Sequence, residues 1–222
     1  MKHLAAFSLI LLTSGTFGCS WFSDQPASNS ALSANANQAA ANTAPAVVRE
    51  NPVADIDAMA DKFLAQKSFR VKRSVFGDKD FTTVVEYVSP DRFHIKTGPG
   101  LEQIRIGNDL YITLDNSWEK IPTDSASPAD GLRRAFKDDR SKFFSNVRFV
   151  RVDSVDGKDA YLYEYENSSA GMAGSNDSKI WIGKDDRLPI RIESIYKTGS
   201  VKSEVIEYQY DPNIKIEVPK TK

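Results

Sequence analysis

One cysteine, two histidines and no excess of either charge leave this 222-residue chain little equipment for chemistry. A lone cysteine rules out an internal disulfide and a thiolate metal cluster. The 29 basic residues nearly balance the 30 acidic ones, for a formal net charge of -1. That balance argues against nucleic acid, which asks for a basic patch or an excess of Lys and Arg. His3 lies in the short basic start ahead of the N-terminal apolar run, and His94 falls on the polar face of a predicted strand, where an exposed position is expected. No serine has nucleophile-elbow flanks, and no glycine-rich phosphate loop is present. The acidic pair Asp138-Asp139 belongs to a charged helix face. The pair Asp185-Asp186 sits in a turn with Lys184 and Arg187, so both read as solvated surface. The sequence therefore implies no enzyme, no cofactor and no metal ion. Beyond the N-terminus no apolar run is long enough to cross a bilayer as a helix.

What is present begins with Met1-Lys2-His3, an apolar run Leu4 to Leu12, and a small-residue segment ending Thr16-Phe17-Gly18-Cys19. The run is too short to span a membrane and reads as the core of an export signal. A cysteine just behind such a segment resembles the bacterial lipoprotein signal, in which Cys19 would carry the lipid. Thr16 and Phe17 depart from that pattern, and Gly18 fits it. The alternative is an ordinary secretory signal with an incidental cysteine. Ser20 after the cysteine resembles lipoproteins routed to an outer membrane. This reading makes residues 1–18 a signal peptide and places the rest at the outer membrane or cell surface, facing the periplasm or exterior.

Residues 19–52 change texture. Ser28-Asn29-Ser30-Ala31, Ala34-Asn35-Ala36-Asn37 and Ala39-Ala40-Ala41-Asn42 hold almost no large apolar side chains. Such a segment cannot offset the entropy of folding and reads as a disordered tether. Its reach as a coil is roughly 30 Å. A frayed helix is the alternative.

Residues 53–222 have the length and patterning of one domain. Val53, Ile56, Ala60, Phe63 and Leu64 fall at helical spacing, with acids near the start, and predict a helix ending near Lys67. Alternating apolar and polar residues punctuated by turns then predict antiparallel strands from Phe69 to Ile121. Leu132, Phe136, Phe143 and Val147 predict a second helix over Ala129 to about Asn146. Strands resume over Val147–Val155, Ala160–Glu166, Lys179–Gly183, Leu188–Lys197, Val201–Tyr210 and Ile214–Val218, with Asn167 to Ser178 as a loop. The predicted fold class is α+β: a strongly curved antiparallel sheet covered by α-helices, since a sheet of so many strands curls to limit its edges. Tyr161, Tyr163 and Tyr165 share one strand face. They border a ligand or another protein, or simply pack across strands. Arg133, Arg134, Lys137 and Arg140 either meet anionic lipid heads or form a solvated helix face.

Tyr87-Val88-Ser89-Pro90-Asp91-Arg92-Phe93-His94-Ile95 resembles a strand pair of the LolA/LolB-like lipoprotein carriers, which include the LppX/LprG type. Ile104 to Tyr111, Trp118-Glu119-Lys120-Ile121-Pro122, and Tyr208 to Pro219 continue that resemblance in the same order. It implies an incomplete β-barrel closed by helices that holds acyl chains inside. The expected partners are then a lipid or acylated protein cargo, the membrane through the anchor, and an envelope protein, with no nucleic acid. The expected cavity lining is Phe69, Val71, Val85, Phe93, Ile95, Ile104, Ile106, Ile112 and Trp118. Each acyl methylene buried there would contribute about 0.8 kcal/mol. The competing reading has these side chains filling the interior, which makes the chain an envelope interaction or stress-sensing protein without transported cargo.

Overall fold

The computed structural model describes residues 49–115, 117–122, 133, 136, 137, 140–167 and 176–221. Cys19, the signal, most of the tether, Leu132, Arg134 and the pair Asp138-Asp139 lie outside the described residues.

Helix α1 spans Pro52–Leu64. The Asn51 side chain caps it by accepting from the Ala54 amide at 3.0 Å, and Pro52 sits where its missing N–H costs nothing. Ile56, Met59, Ala60 and Phe63 make its buried stripe. Eleven strands follow: β1 Ser68–Gly77, β2 Phe81–Val88, β3 Arg92–Thr97, β4 Leu101–Ile106, β5 Asp109–Leu114, β6 Ser117–Pro122, β7 Ser145–Val155, β8 Lys158–Asn167, β9 Asn176–Gly183, β10 Pro189–Tyr196 and β11 Val201–Gln209. A four-residue helix α2, Arg140–Phe143, precedes β7.

All eleven strands form one antiparallel sheet in the order β6-β5-β4-β3-β2-β1-β11-β10-β9-β8-β7. Two meanders, β1–β6 and β7–β11, join where the first strand pairs the last. Gly77 lies at that seam. A Cβ there would stand 2.1 Å from the Ser200 carbonyl oxygen, so only glycine lets the two hairpins approach. Strands β6 and β7 are the two ends of the sheet, so it does not close on itself.

The sheet curls around its helix. Residues of α1, with Phe136 and Phe144, share one core with residues of β1, β2, β3, β8, β9, β10 and β11. A helix about 10 Å across on a flat sheet covers about two strands at about 4.8 Å spacing, so seven can share its core only by wrapping it.

Two expectations change. The second helix does not run to Asn146: β7 already begins at Ser145, and Asn146 has a left-handed φ of 52° that a helix interior does not admit. Helical residues in the described part of that stretch are Arg133, Phe136, Lys137 and α2. Ile214 to Val218 is not a twelfth strand. That segment crosses the opposite face of the sheet, with Ile214 and Ile216 packed on Ile104 and Tyr111. Arg92 Nη1 donates to the Ile216 carbonyl at 2.7 Å, which takes the place of a strand partner. One isolated parallel bridge, Trp118 to Thr221, ends the segment on β6.

Candidate ligand-binding face

Residues paired directly across antiparallel strands point to the same face, so the register decides which side chains meet α1. One row runs Val71, Val85, Ile95, Gln103, Ile112, Glu119 across β1 to β6. The neighbouring row runs Phe69, Tyr87, Phe93, Arg105, Leu110, Ile121. Phe69, Val71, Val85, Phe93 and Ile95 are therefore brought together on the helix side, and all five belong to the core around α1. Ile112 shares their face and stays half-buried.

Ile104, Ile106 and Trp118 do not join them. Ile104 pairs with His94, which pairs with Glu86 and so lies on the outer side. Trp118 pairs with Thr113, the neighbour of Ile112 on the other face. These three side chains pack instead with Tyr111 and the C-terminal Ile214 and Ile216. The cause is the three-residue turn Gly98-Pro99-Gly100, which sets the register so that Gln103, and not Ile104, faces Ile95.

Aromatic rings fill the interior from one half of the sheet to the other. Phe93, Tyr87, Phe69 and Phe63 stack at centroid distances of 5.0, 4.9 and 4.8 Å. Phe63 continues to Phe136 at 4.7 Å, Phe136 to Phe144 at 5.8 Å, and Phe144 to Tyr165 at 4.8 Å. Beyond Ile95 the character changes. Gln103 and Arg105 of β4 interrupt the apolar face, and Leu110, Ile112 and Ile121 resume it over β5 and β6 with Glu119 among them, half-buried and outside that core. The helix side of the sheet is thus packed at its centre and leaves a greasy shelf toward β6.

Polar contacts tie α1 down at both ends. Asp55 in its first turn accepts from Arg49 Nε at 2.8 Å and from the Tyr163 hydroxyl at 2.7 Å, with Arg187 Nη1 at 3.7 Å. Burial alone would raise the Asp55 carboxyl, but the bonds from Arg49 and Tyr163 outweigh it and hold it below the usual carboxylate value. Burial and the same carboxylate push the Tyr163 phenol up. Arg49 and Arg187 also lie over the Tyr161 ring at 4.4 and 5.1 Å. Toward the other end, Asp57 and Asp61 pair with Arg140, and Lys62 donates to the Asp186 carbonyl at 3.1 Å. Arg133 Nη2 reaches the Leu64 carbonyl at 2.8 Å, and its Nη1 donates to the Tyr87 hydroxyl at 2.7 Å. Of the helix cations named from the sequence, Arg133 and Arg140 thus serve as clamps on α1.

The inner face turns polar at its hairpin end. Arg73 Nε donates to Glu204 at 2.8 Å, Ser178 and Ser194 share a bond of 2.9 Å, and Thr83 and Thr97 one of 3.2 Å. Burial pushes the nearby Tyr196 phenol up to about 12. A polar concavity of about 500 Å³ opens where β7, β8 and β9 meet, lined in part by Asn146, Arg148, Glu164, Tyr165, Ser178 and Lys179. Tyr161, Tyr163 and Tyr165 all face inward; Tyr163 and Tyr165 belong to the core, and Tyr161 packs against it. Sequence reasoning missed this tyrosine–arginine–aspartate cluster because Tyr163 lies 108 residues from Asp55.

On the outer face His94 sits between two carboxylates, with Nδ1 3.3 Å from Glu86 and Nε2 3.2 Å from Glu102. Its side chain is 17% exposed, so the histidine expected to be exposed on the polar face is a bridge across three strands. Among the described residues no group of three or more His, Cys, Asp or Glu is arranged to hold a metal ion.

No family model matches the sequence, and no curated protein matches it. Solved structures do match the fold. Mycobacterium tuberculosis lipoprotein LppX superposes with a TM-score of 0.59 at 15% identity, covering 74% of this chain and 97% of LppX. LprF from Mycobacterium bovis superposes with a TM-score of 0.53 at 10% identity, covering 75% of this chain and 95% of LprF. Open sheet, curl and helix cover together give this chain the fold that LppX and LprF share.

Proposed function

We propose that the chain is an exported envelope lipoprotein, anchored through Cys19, that holds an acyl chain of a lipid or acylated protein inside its half-barrel and carries it. The supporting observation is the shelf of Leu110, Ile112 and Ile121. It lies on the helix-side face beyond the packed core and the polar β4 residues Gln103 and Arg105, where an added hydrocarbon chain gains burial without displacing a core residue. The fold shared with a protein named as a lipoprotein supports the same reading. The reading is binding rather than catalysis, because the core around α1 is made of apolar rings and aliphatic side chains.

The test is native mass spectrometry of the purified full chain, with lipid extraction of the same sample. Co-purifying acylated species are expected, and Ile112→Glu should abolish them while leaving the melting temperature within a few degrees. A wild-type protein free of lipid, or an Ile112→Glu variant that keeps its load, would overturn the proposal. The continuous ring chain from Phe93 to Tyr165 favours a second reading, in which the filled interior is only a core and the protein is an envelope interaction or stress-sensing module. A lipid-free preparation is the result that reading expects.

A further inference from the structure

Eight large apolar side chains are exposed among the described residues, and five of them gather at one end of the sheet: Phe76, Phe81, Leu101, Leu114 and Ile195. Each stands in the last or first two residues of its strand, beside the β1–β2, β3–β4, β5–β6 or β10–β11 hairpin. The turns at the opposite end are Ser89-Pro90-Asp91, Gly107-Asn108, Asp156-Gly157 and Lys184-Asp185-Asp186-Arg187, with no exposed large apolar residue. Exposures of 40% to 63% mean that these five residues gain little from the fold they belong to.

From the chemistry and placement of these residues we propose that this hairpin end docks end-on against the surface of a lipid bilayer. Three features select that occupant over a protein. The five residues spread across seven strands, β5 to β10 in sheet order, or about 29 Å at about 4.8 Å per strand. Protein interfaces instead concentrate their anchors in a central patch. Phe81, Leu101 and Leu114 lie on the helix-side face by register, whereas Phe76 and Ile195 lie on the other. A partner resting on one face would miss part of the set, and a plane meeting the strand ends reaches all of it. The third feature is the chain outside the described residues. Residues 20–48 separate Cys19 from Arg49, and fully extended they span about 100 Å, so an anchored domain meets that membrane at high local concentration. This last step rests on the anchor proposed above; the first two do not.

Charge defines the kind of bilayer. Asp78, Lys79, Asp80, Asp115 and Lys197 lie at the tips, and Lys197 is paired to Asp177 at 3.1 Å. With both signs present and no cationic excess, the end suits zwitterionic headgroups, and the affinity comes from apolar insertion into the interface. The same end carries the polar inner groups Arg73, Glu204, Ser178 and Ser194, so docking would bring the mouth of the curl to the lipid.

The experiment uses the chain from Ser20 onward, which has neither the apolar signal segment nor the attachment sulfur, sedimented with phosphatidylcholine vesicles. Binding is expected, unchanged by high salt. It should fall at least tenfold in the triple variant Phe76→Ser, Phe81→Ser, Ile195→Ser, and independently in the pair Leu101→Ser, Leu114→Ser. The control triple Val53→Ser, Val152→Ser, Val218→Ser should bind like the parent. No binding by the parent, binding that requires anionic lipid, or equal loss in the control would each overturn the proposal. Thermal melts identify any unfolded variant, and each of the two rim variants tests the idea alone. Native mass spectrometry of the rim variants separates this inference from the acyl-binding one. Retained lipid with lost docking is the expected pattern, and lost lipid with retained docking refutes the docking role.

Discussion

The Tyr163 hydroxyl donates to Asp55 at 2.7 Å, and that bond fastens the first turn of α1 to the middle of β8. Arg49 forks onto the same carboxylate, so a residue preceding the helix, the helix itself and the sheet meet at one side chain. Replacing Tyr163 by Phe removes the donor and leaves a partly buried carboxylate short of one bond. The expected loss is about 1.5–3 kcal/mol, the range for a hydrogen bond to a charged group. Urea titration should show a lower midpoint with an unchanged slope. Arg49→Ala should act in the same direction. The double variant should cost less than the two losses added, since both bonds serve one carboxylate.

The same cluster sets an acid limit. The folded Asp55 value lies below 3.8, so the folded state binds fewer protons than the unfolded chain as pH falls past 3.8. Its stabilisation is complete above that pH and is lost as pH drops through the folded value. Melting temperature measured from pH 6 down to pH 3 should therefore hold and then fall. Asp55→Asn should start lower at pH 6 and lose less on acidification. An identical acid profile for the variant would mean that other carboxylates govern the limit.

Alternation in the sequence identifies the strands of β1 to β11 well, because antiparallel strands with one face buried repeat every two residues. Alternation does not say which phase faces the helix. From Phe69 to Ile95 the aromatic and β-branched residues choose correctly, because the larger apolar side chains are needed against α1. At β4 both phases carry useful residues: Ile104 and Ile106 on one, Gln103 and Arg105 on the other. The apolar phase there is spent on the outer face, under the C-terminal segment. That partner lies about 110 residues downstream, and nothing local announces it. The Asp55–Tyr163 bond is equally long in range, so the clamp on α1 was invisible as well. Phe63, by contrast, is legible as the buried residue of a helical stripe, and it touches Phe69, Phe136 and Tyr208 with its ring. Phe63→Ala should cost about 3–5 kcal/mol by urea denaturation, as for a large ring removed from a closed core.

The C-terminal segment yields the sharpest contrast between the two faces. Ile216 is 4% exposed and Ile214 9% exposed, and both rest on the outer side, away from α1 and its shelf. If acyl ligands enter on the helix side, unseating this segment should weaken the fold without touching the load. Ile216→Ala should cost about 2 kcal/mol, the low end for a buried isoleucine, because the segment is held by one carbonyl bond from Arg92 and a single bridge at Thr221. Acrylamide quenching of Trp118, which packs beside these isoleucines, should rise in the same variant. Native mass spectrometry should show the lipid content of wild type. A variant that stays folded and loses its lipid would place the ligand on the outer face, where Ile104, Ile106 and Trp118 stand together, and would reverse the assignment of Ile112.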